Sequence, residues 1–301
     1  MKIISLRNLL IGLASGVLLS SCGEDDPAPP DASFTYVAEE REVTFTNTSK
    51  NAKTFSWDFG DGETSTDENP VHTYDAFGKY TVQLTVTGDG GTDASLPDEI
   101  TLAKSSVVVI DGNVSEWASL PDVLVSTPEE DGGTITKVKV DFDATKIYFY
   151  VEGTSELRGF FDFYLDSNND PETGYVSGWY PLGFGADHLS EGDFANVHDA
   201  DIFKYLLVGD DNTQWSWEVA SATGSGSINS SGLVTVGEGK AIEISFLRSG
   251  FSNLSSQGFS FAVVDVDGTV DPEEIVSWEK LGSLPVDNTE NSIMKFFDIS
   301  K

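Results

Sequence analysis

Two groups of side chains in this sequence have types and spacings suited to chemistry. The first is the run Asp166-Ser167-Asn168-Asn169-Asp170-Pro171-Glu172, which places oxygen-bearing side chains at Asp166, Asn168, Asp170 and Glu172. Hard cations such as Ca2+ take about six to eight oxygen ligands, and a loop of alternating acids and amides supplies them locally. An EF-hand would need a glycine directly after Asp170 and a glutamate near Pro181, and neither is present. A non-EF-hand Ca2+ loop is therefore the candidate, with Asp187 and Glu191 available to close it from the segment 185–193. The same spacing serves Asx turns with no metal at all, and both readings stay open here. The second group is aromatic. Trp179 and Tyr180 sit in a glycine-flanked segment, 176–183, while Trp215 and Trp217 are two apart on an expected strand and so share a face. Exposed aromatic faces stack on the C–H surface of sugar rings, and Asp187, Gln214 and Glu218 are near enough in sequence to take hydroxyls. Packing in a sandwich core explains Trp215 and Trp217 equally well.

Catalytic chemistry finds little here. No HExxH, GxSxG or phosphate-binding loop occurs. His188 and His198 are ten residues apart among acids, where hydrogen bonding to neighbours such as Asp199 accounts for them better than a transition metal. The single cysteine, Cys22, stands near the start of the chain and leaves no thiol for a nucleophile or an intrachain disulfide.

That cysteine ends a segment with three parts. Lys2 and Arg7 give a positive start, Leu9 to Leu19 is an apolar run broken by Gly12, Ser15 and Gly16, and Leu19-Ser20-Ser21-Cys22 follows. This is the layout of a secretory signal, short for a membrane span. Its end resembles the lipobox of bacterial lipoproteins, which implies removal of residues 1–21 and lipidation of Cys22. Residues 22–31, acidic and proline-rich with no apolar anchor, read as an extended tether. Residue 23 is glycine and not aspartate, so the inner-membrane retention signal of enteric lipoproteins is absent. The acids that follow resemble the export tag of surface lipoproteins in some Gram-negative phyla. The expectation is an outer-membrane, lipid-anchored protein exposed at the cell surface, touching the membrane only through its lipid. A net charge of −33, from 50 acids against 17 Lys and Arg, argues against nucleic acid and anionic headgroups as partners. It leaves neutral ligands such as glycans, and cations.

Strands must position these groups. Alternating runs such as Val43–Thr46, Tyr80–Val86, Val138–Phe142, Ile147–Val151, Phe160–Leu165, Ile202–Val208, Trp215–Val219, Ile242–Leu247 and Phe259–Val266 are separated by Gly, Asn and Asp clusters. No helical period exceeds about two turns, so the class is all-β. Residues 32–104 centre on Phe55-Ser-Trp57-Asp58-Phe59-Gly60-Asp61-Gly62, followed by Asn69-Pro-Val-His72-Thr-Tyr74 and Tyr80 to Val86. This resembles the PKD domain, a small immunoglobulin-like sandwich that acts as a spacer or interaction module; His72 reads as a turn residue of its signature. Residues 105–301 contain Asp111-Gly112-Asn-Val-Ser115-Glu116-Trp117, the hairpin 137–151 and Leu165-Asp-Ser-Asn-Asn-Asp-Pro-Glu-Thr-Gly-Tyr175. In that order they resemble the larger DOMON-like β-sandwich that includes the family 9 carbohydrate-binding modules. The resemblance implies a non-catalytic module that binds polysaccharide or oligosaccharide; a complete pair of ligand-clamping tryptophans does not align. A structural or adhesion protein making contacts with surface proteins is the alternative. Replacing Cys22 with Ala is expected to abolish lipidation and move the protein from the membrane to the soluble fraction. A variant that stays membrane-bound and is processed as before would contradict the lipobox reading.

Overall fold

A computed structural model of the chain describes residues 26–126, 133–170, 172–176, 185–196, 199–207, 211–222, 225–267, 270–271, 274–275, 280–285 and 294–300. Cys22, Trp179, Tyr180 and His198 lie outside the described residues. The chain divides into two compact units, one ending at Ser105 and one spanning Ser106–Ser300. Among the described residues, no helix is long and apolar enough to cross a membrane.

The first unit holds β1 (Phe34–Glu39), β2 (Glu42–Asn47), β3 (Thr54–Asp58), β4 (Thr64–Ser65), β5 (Val71–Thr73), β6 (Gly78–Gly88), β7 (Gly91–Ala94) and β8 (Asp98–Leu102). One sheet has the order β1-β2-β5; the other has β4-β3-β6-β7, with β8 also on β6. Alternation in β2 and β6 turns Val43, Phe45, Val82, Leu84 and Val86 inward to meet Trp57 and Phe59, all essentially buried. Trp57 packs 5.3 Å from Phe45, and its Nε1–H donates to the Asp67 carbonyl at 2.8 Å, so the buried indole leaves no donor unpaired. Gly60 has φ +81°, and a Cβ there would collide with the Thr81 backbone, so the turn admits only glycine. Asp61 Oδ1 accepts the Glu63 amide, while its Oδ2 is 2.7 Å from His72 Nε2. His72 is not a turn residue: it lies on β5, buried, stacked 4.1 Å from Phe59 and edge-on to Tyr74. Desolvation pushes the Asp61 carboxyl up, but the hydrogen bonds from His72 and Glu63 outweigh it and hold the group below its ordinary value.

The second unit holds β9 (Leu124–Val125), β10 (Ile135–Phe142), β11 (Lys146–Gly153), β12 (Phe160–Asp166), β13 (His188–Asp193), β14 (Asp199–Tyr205), β15 (Trp217–Ser221), β16 (Ile228–Val236), β17 (Gly239–Leu247), β18 (Gly258–Val266), β19 (Val270–Asp271), β20 (Glu274–Ile275), β21 (Lys280–Leu284) and β22 (Lys295–Asp298). β19 and β20 pair with each other; the rest form two sheets. A five-stranded sheet has the order β16-β17-β11-β10-β9, and a seven-stranded one has β15-β14-β13-β12-β18-β21 with β22 also on β18. Between them Phe149, Phe163, Phe246 and Phe261 interlock, with ring centroids 5.2–5.4 Å apart from Phe149 to Phe163, Phe163 to Phe246 and Phe149 to Phe261. The alternation expected along Val138–Phe142 and Phe160–Leu165 does not appear as exposure, because Val138–Phe142 and Phe161–Leu165 are buried without a break and Phe160 is part-buried. Each sheet is covered on its outer face as well. Val108, Trp117, Tyr148 and Tyr150 cover one; Tyr164, Tyr175, Leu189 and Tyr205 cover the other. Strands buried on both faces lose the period of two.

The outer cover of the five-stranded sheet hangs on one carboxylate. Glu243, fully buried on β17, accepts Trp117 Nε1–H at 2.9 Å and the Gly112 amide at 2.7 Å. Trp117 stacks 5.5 Å from Tyr150, and Lys139 Nζ donates to the carbonyls of Trp117 and Leu120 at 2.7 Å each. The Asp111-to-Trp117 motif is thus a structural latch. Glu243→Ala orphans a buried indole donor and a part-buried amide, and the second unit should lose on the order of 3 kcal/mol. A denaturant midpoint for this unit equal to the parent's would show that the latch is dispensable.

Candidate functional site

β12 ends and β13 begins at the same end of the seven-stranded sheet, and the segment between them is organised by Asp187. Its Oδ2 accepts the Ser167 amide (3.1 Å), the Ser167 hydroxyl (2.9 Å) and the Asn168 amide (3.1 Å); its Oδ1 accepts Asn168 Nδ2 (3.2 Å). Three oxygens of the expected cation loop accept backbone amides. Asp166 Oδ1 accepts the Asn169 amide, Asn168 Oδ1 that of Asp170, and Asp170 Oδ1 that of Glu172, at 2.7, 2.7 and 3.1 Å. This is Asx-turn geometry. Among the described residues, no three His, Cys, Asp or Glu side chains are grouped to hold a metal ion. Asp187 accepts from this loop through both oxygens and lines the cleft beside it.

Beyond the turns, Tyr175 and Ala186 exchange two backbone hydrogen bonds of 2.8 Å. Gly174, at φ +83°, passes so close to Gly185 and Ala186 that a side chain would not fit. This close approach carries Tyr175 onto the outer face of the sheet. Its ring stands perpendicular to that of Trp215 at 5.5 Å and tilted against Trp217 at 5.5 Å. Trp217 also packs 5.2 Å from Tyr205, whose hydroxyl donates to the Gln214 carbonyl at 3.1 Å. Trp215 and Trp217 are not two positions of one strand, although both rings meet Tyr175. Trp217 opens β15 and is part-buried, whereas Trp215 precedes the strand and is 57% exposed, propped by Tyr175 and Trp217. Gln214 spends its side chain on Asp211, and Glu218 is an exposed partner of Lys204 in the strand register.

Beside these aromatics lies a cleft of about 170 Å3, lined among others by Thr173, Asp187, Lys204, Tyr205, Asn212 and Asn253, with Glu172 at its exposed lip. Tyr175, Lys204, Tyr205 and Asn212 escaped sequence reasoning. The signal for the tyrosines was present, since Gly174-Tyr175 and the alternation of Phe203 with Tyr205 both mark aromatics on the outer face. His188 is buried, its Nε2 accepting the Ser252 amide at 3.1 Å; burial, helped by the Lys204 charge, lowers it to about 4 and keeps it neutral. Glu191, placed in register with Asp201 on β14, does not close the Asp166 loop; burial and the Asp201 charge raise it to about 7.

Residues 25–102 match the family model described as the PKD domain. The first unit is a PKD domain. Similar curated proteins include collagenase ColQ1 of Bacillus cereus (strain Q1), 37% identical over 101 residues, which are 32% of this chain and 9% of that protein. Pre-pro-metalloprotease PrtV of Vibrio cholerae (strain M66-2) is 30% identical over 119 residues, 36% of this chain and 13% of that protein. The chain thus spans only about a tenth of the length of these relatives. Among solved structures, the PKD1 domain of the Vibrio cholerae PrtV metalloprotease is 38% identical and covers 25% of this chain and 98% of its own, with a TM-score of 0.24. A family 9 carbohydrate-binding module from Caldicellulosiruptor kristjanssonii, solved with cellotriose, is 14% identical and covers 59% of this chain and 78% of its own, with a TM-score of 0.32.

The Asp166–Asp187 pair makes the cleft end of the second unit sensitive to pH. Burial first, and then the Asp187 charge, push Asp166 up to about 6, and burial also raises Asp187. Both carboxyls protonate more readily in the folded state than in the unfolded chain. Their contribution to stability is therefore complete below the ordinary carboxylate pKa and falls as pH rises, that of Asp166 being lost through about 6. Asp166→Asn keeps an acceptor for the Asn169 amide and removes the charge. It should raise the unfolding midpoint of the second unit at about pH 7.5 and change it little at about pH 4. An equal effect at both would assign the change to packing instead.

Proposed function

We propose that this chain is a non-catalytic surface lipoprotein whose second unit binds glycans at the cleft end of the seven-stranded sheet, with the PKD unit as spacer. The observation that carries this reading is Trp215. An indole that is 57% exposed gains little from folding, yet Tyr175 and Trp217 fix its orientation from behind at 5.5 and 5.7 Å. A rigid exposed aromatic face next to a cleft lined by amides and hydroxyls suits a sugar ring, which has an apolar C–H face and a polar rim. The sequence resemblance of the second unit to carbohydrate-binding modules supports the same reading, and the lipid anchor and outward-facing location follow from the first thirty residues. The collagenase and metalloprotease relatives are matched over 101 and 119 residues, 9% and 13% of their own length, and their activity is not carried over to this chain.

On an affinity gel or by calorimetry, the mature chain should be retained by a polysaccharide, and Trp215→Ala should weaken that binding at least about tenfold, in line with the roughly 1–3 kcal/mol of an aromatic stacking contact. Retention by no polysaccharide in a broad panel would remove the proposal. The second reading, protein–protein contact at the surface, draws on β15. Among the described residues it is an edge strand, with Val219 54% exposed, and such edges accept added strands. A partner recovered from the native envelope that survives competing sugar would favour it. Calcium is a separate proposal for the Asp166 loop. If hydrogen bonds alone close that loop, EDTA and Ca2+ leave the calorimetric transition of the second unit unmoved; a rise with Ca2+ but not Mg2+ would restore the cation.

A further inference from the structure

The start of the PKD unit is tied down where its sequence suggests a free tether. From Pro27 to Ser33 the chain lies against two connections of that unit, residues 48–53 between β2 and β3 and the turn 88–91 between β6 and β7. Asp31 and Lys50 exchange two backbone hydrogen bonds, of 3.0 and 2.9 Å. Asn51 Nδ2 donates to the Pro29 carbonyl at 2.9 Å. The Ala32 amide donates to Asp93 Oδ2 at 2.8 Å, and the Ser33 amide to Ser49 Oγ at 3.0 Å. A Cβ at Gly90 would lie 2.5 Å from the carbonyl oxygens of both Pro27 and Ala28, so only glycine lets the segment pass there.

Composition and neighbours both favour this docking. Pro29 and Pro30 have φ fixed in advance, which lowers the entropy lost when the segment is ordered, and Pro30 is buried. The segment runs directly into β1, whose first residue, Phe34, packs 5.2 Å from the buried Trp57. It is therefore fastened to the core at one end and to the 88–91 turn at the other. An ion pair of 2.6 Å between Lys53 and Asp89 joins the two connections to each other. On the lipoprotein reading, Cys22 is linked to Pro27 by Gly23, Glu24, Asp25 and Asp26 alone. A fully extended chain spans at most about 3.6 Å per residue, so the reach from Cys22 to Pro27 is about 18 Å, against about 40 Å for a chain free as far as Ser33. The far end of β1, at the Glu39–Glu42 pair, lies roughly 17 Å further along the strand.

We infer that the end of the PKD unit formed by residues 48–53 and 88–91 is the face held at the lipid surface, with residues 27–33 as the strap that fixes it there. This rests on the lipoprotein reading above and adds which face of the unit meets the lipid. The partner is the headgroup layer around the anchor, reached through the acyl chains and not by charge, since a net charge of −33 gives no attraction to anionic lipid. As a spacer the unit works by its own length, not by that of a tether.

The test uses the whole lipidated chain in phosphatidylcholine vesicles that carry an energy acceptor on their headgroups. With the Cys22 sulfur acylated, an introduced cysteine is the only thiol to label. Asp89 and Glu39 are both exposed; a donor at Asp89→Cys should transfer strongly and one at Glu39→Cys weakly. In the same chain left unlipidated, hydrogen exchange should find the Asp31 and Ala32 amides slowed at least about tenfold relative to an unstructured peptide. Gly90→Ala combined with Asn51→Asp should abolish both that protection and the difference between the two donors. An insertion of about ten Gly and Ser residues between Asp26 and Pro27 should keep the protection, which sets loss of folding aside, and still erase the difference. Unprotected amides, or equal transfer from both donors in the parent chain, overturn the inference and leave lipidation standing. A chain with no acyl group on Cys22 overturns the lipoprotein reading and this inference with it.

Discussion

Asp187 has four hydrogen bonds to accept and a second carboxylate, Asp166, to repel, and the cleft end of the second unit is shaped by that conflict. The hydrogen bonds fold the segment after β12 into successive Asx turns, which lead the chain to Gly174 and deliver Tyr175 against the sheet. Without the turns there would be no support behind Trp215 and no wall beside Lys204. Burying two acids so near each other is unfavourable, as their raised pKa values express; the backbone donors offset it. The acids that look like ligands in the sequence serve as scaffolding for residues that do not stand out there.

How far the sequence reveals this depends on the range of the interactions involved. The PKD unit is legible because its signals are local. Phe55-Ser-Trp57-Asp58-Phe59 alternates, Gly60 must turn where only glycine fits, and Asp61 caps its own backbone two residues on. What is not legible is the role of His72, which depends on Asp61 and Phe59 meeting it across the fold. The strands of the second unit are legible as strands, but their covering on both faces is not, because that follows from loops returning over each sheet. The cleft is the least legible. An Asp-Asn-Asp spacing looks the same whether its oxygens face a cation or their own amides. Separating Trp215 from Trp217 depends on a strand starting two residues later than the apolar pattern suggests.

The two units manage buried polarity in different ways. In the PKD unit each buried polar group finds a partner nearby: Trp57 uses the Asp67 carbonyl, Tyr74 the Phe59 carbonyl and His72 the Asp61 carboxylate. The second unit buries whole carboxylates at its centre and fills them from distant chain. Asp265, fully buried and raised to about 6 chiefly by that burial, accepts the Thr134 hydroxyl at 2.6 Å and the Arg158 and Gly159 amides at 3.2 and 3.1 Å. Glu243 does the same for Trp117 and Gly112. These residues tie together loops that no strand pairing would connect.

The Glu243 latch also orders events in time. Its two hydrogen bonds join residues 126 and 131 positions apart, and those of Asp265 span 106 to 131. Contacts of such separation form late, since the entropy of closing the loop must be met before they return anything. As the chain elongates from its N-terminus, the PKD unit has all its strands by Leu102. The second unit cannot close either outer layer until β17 and β18 have been made. For that interval Trp117 and Tyr150 have no Glu243 to settle on, so the aromatic faces that later cover the sheet are the surfaces most exposed to mispairing. The long acidic chain around them keeps such intermediates apart by charge repulsion, which gives the net charge a role during folding as well as afterwards.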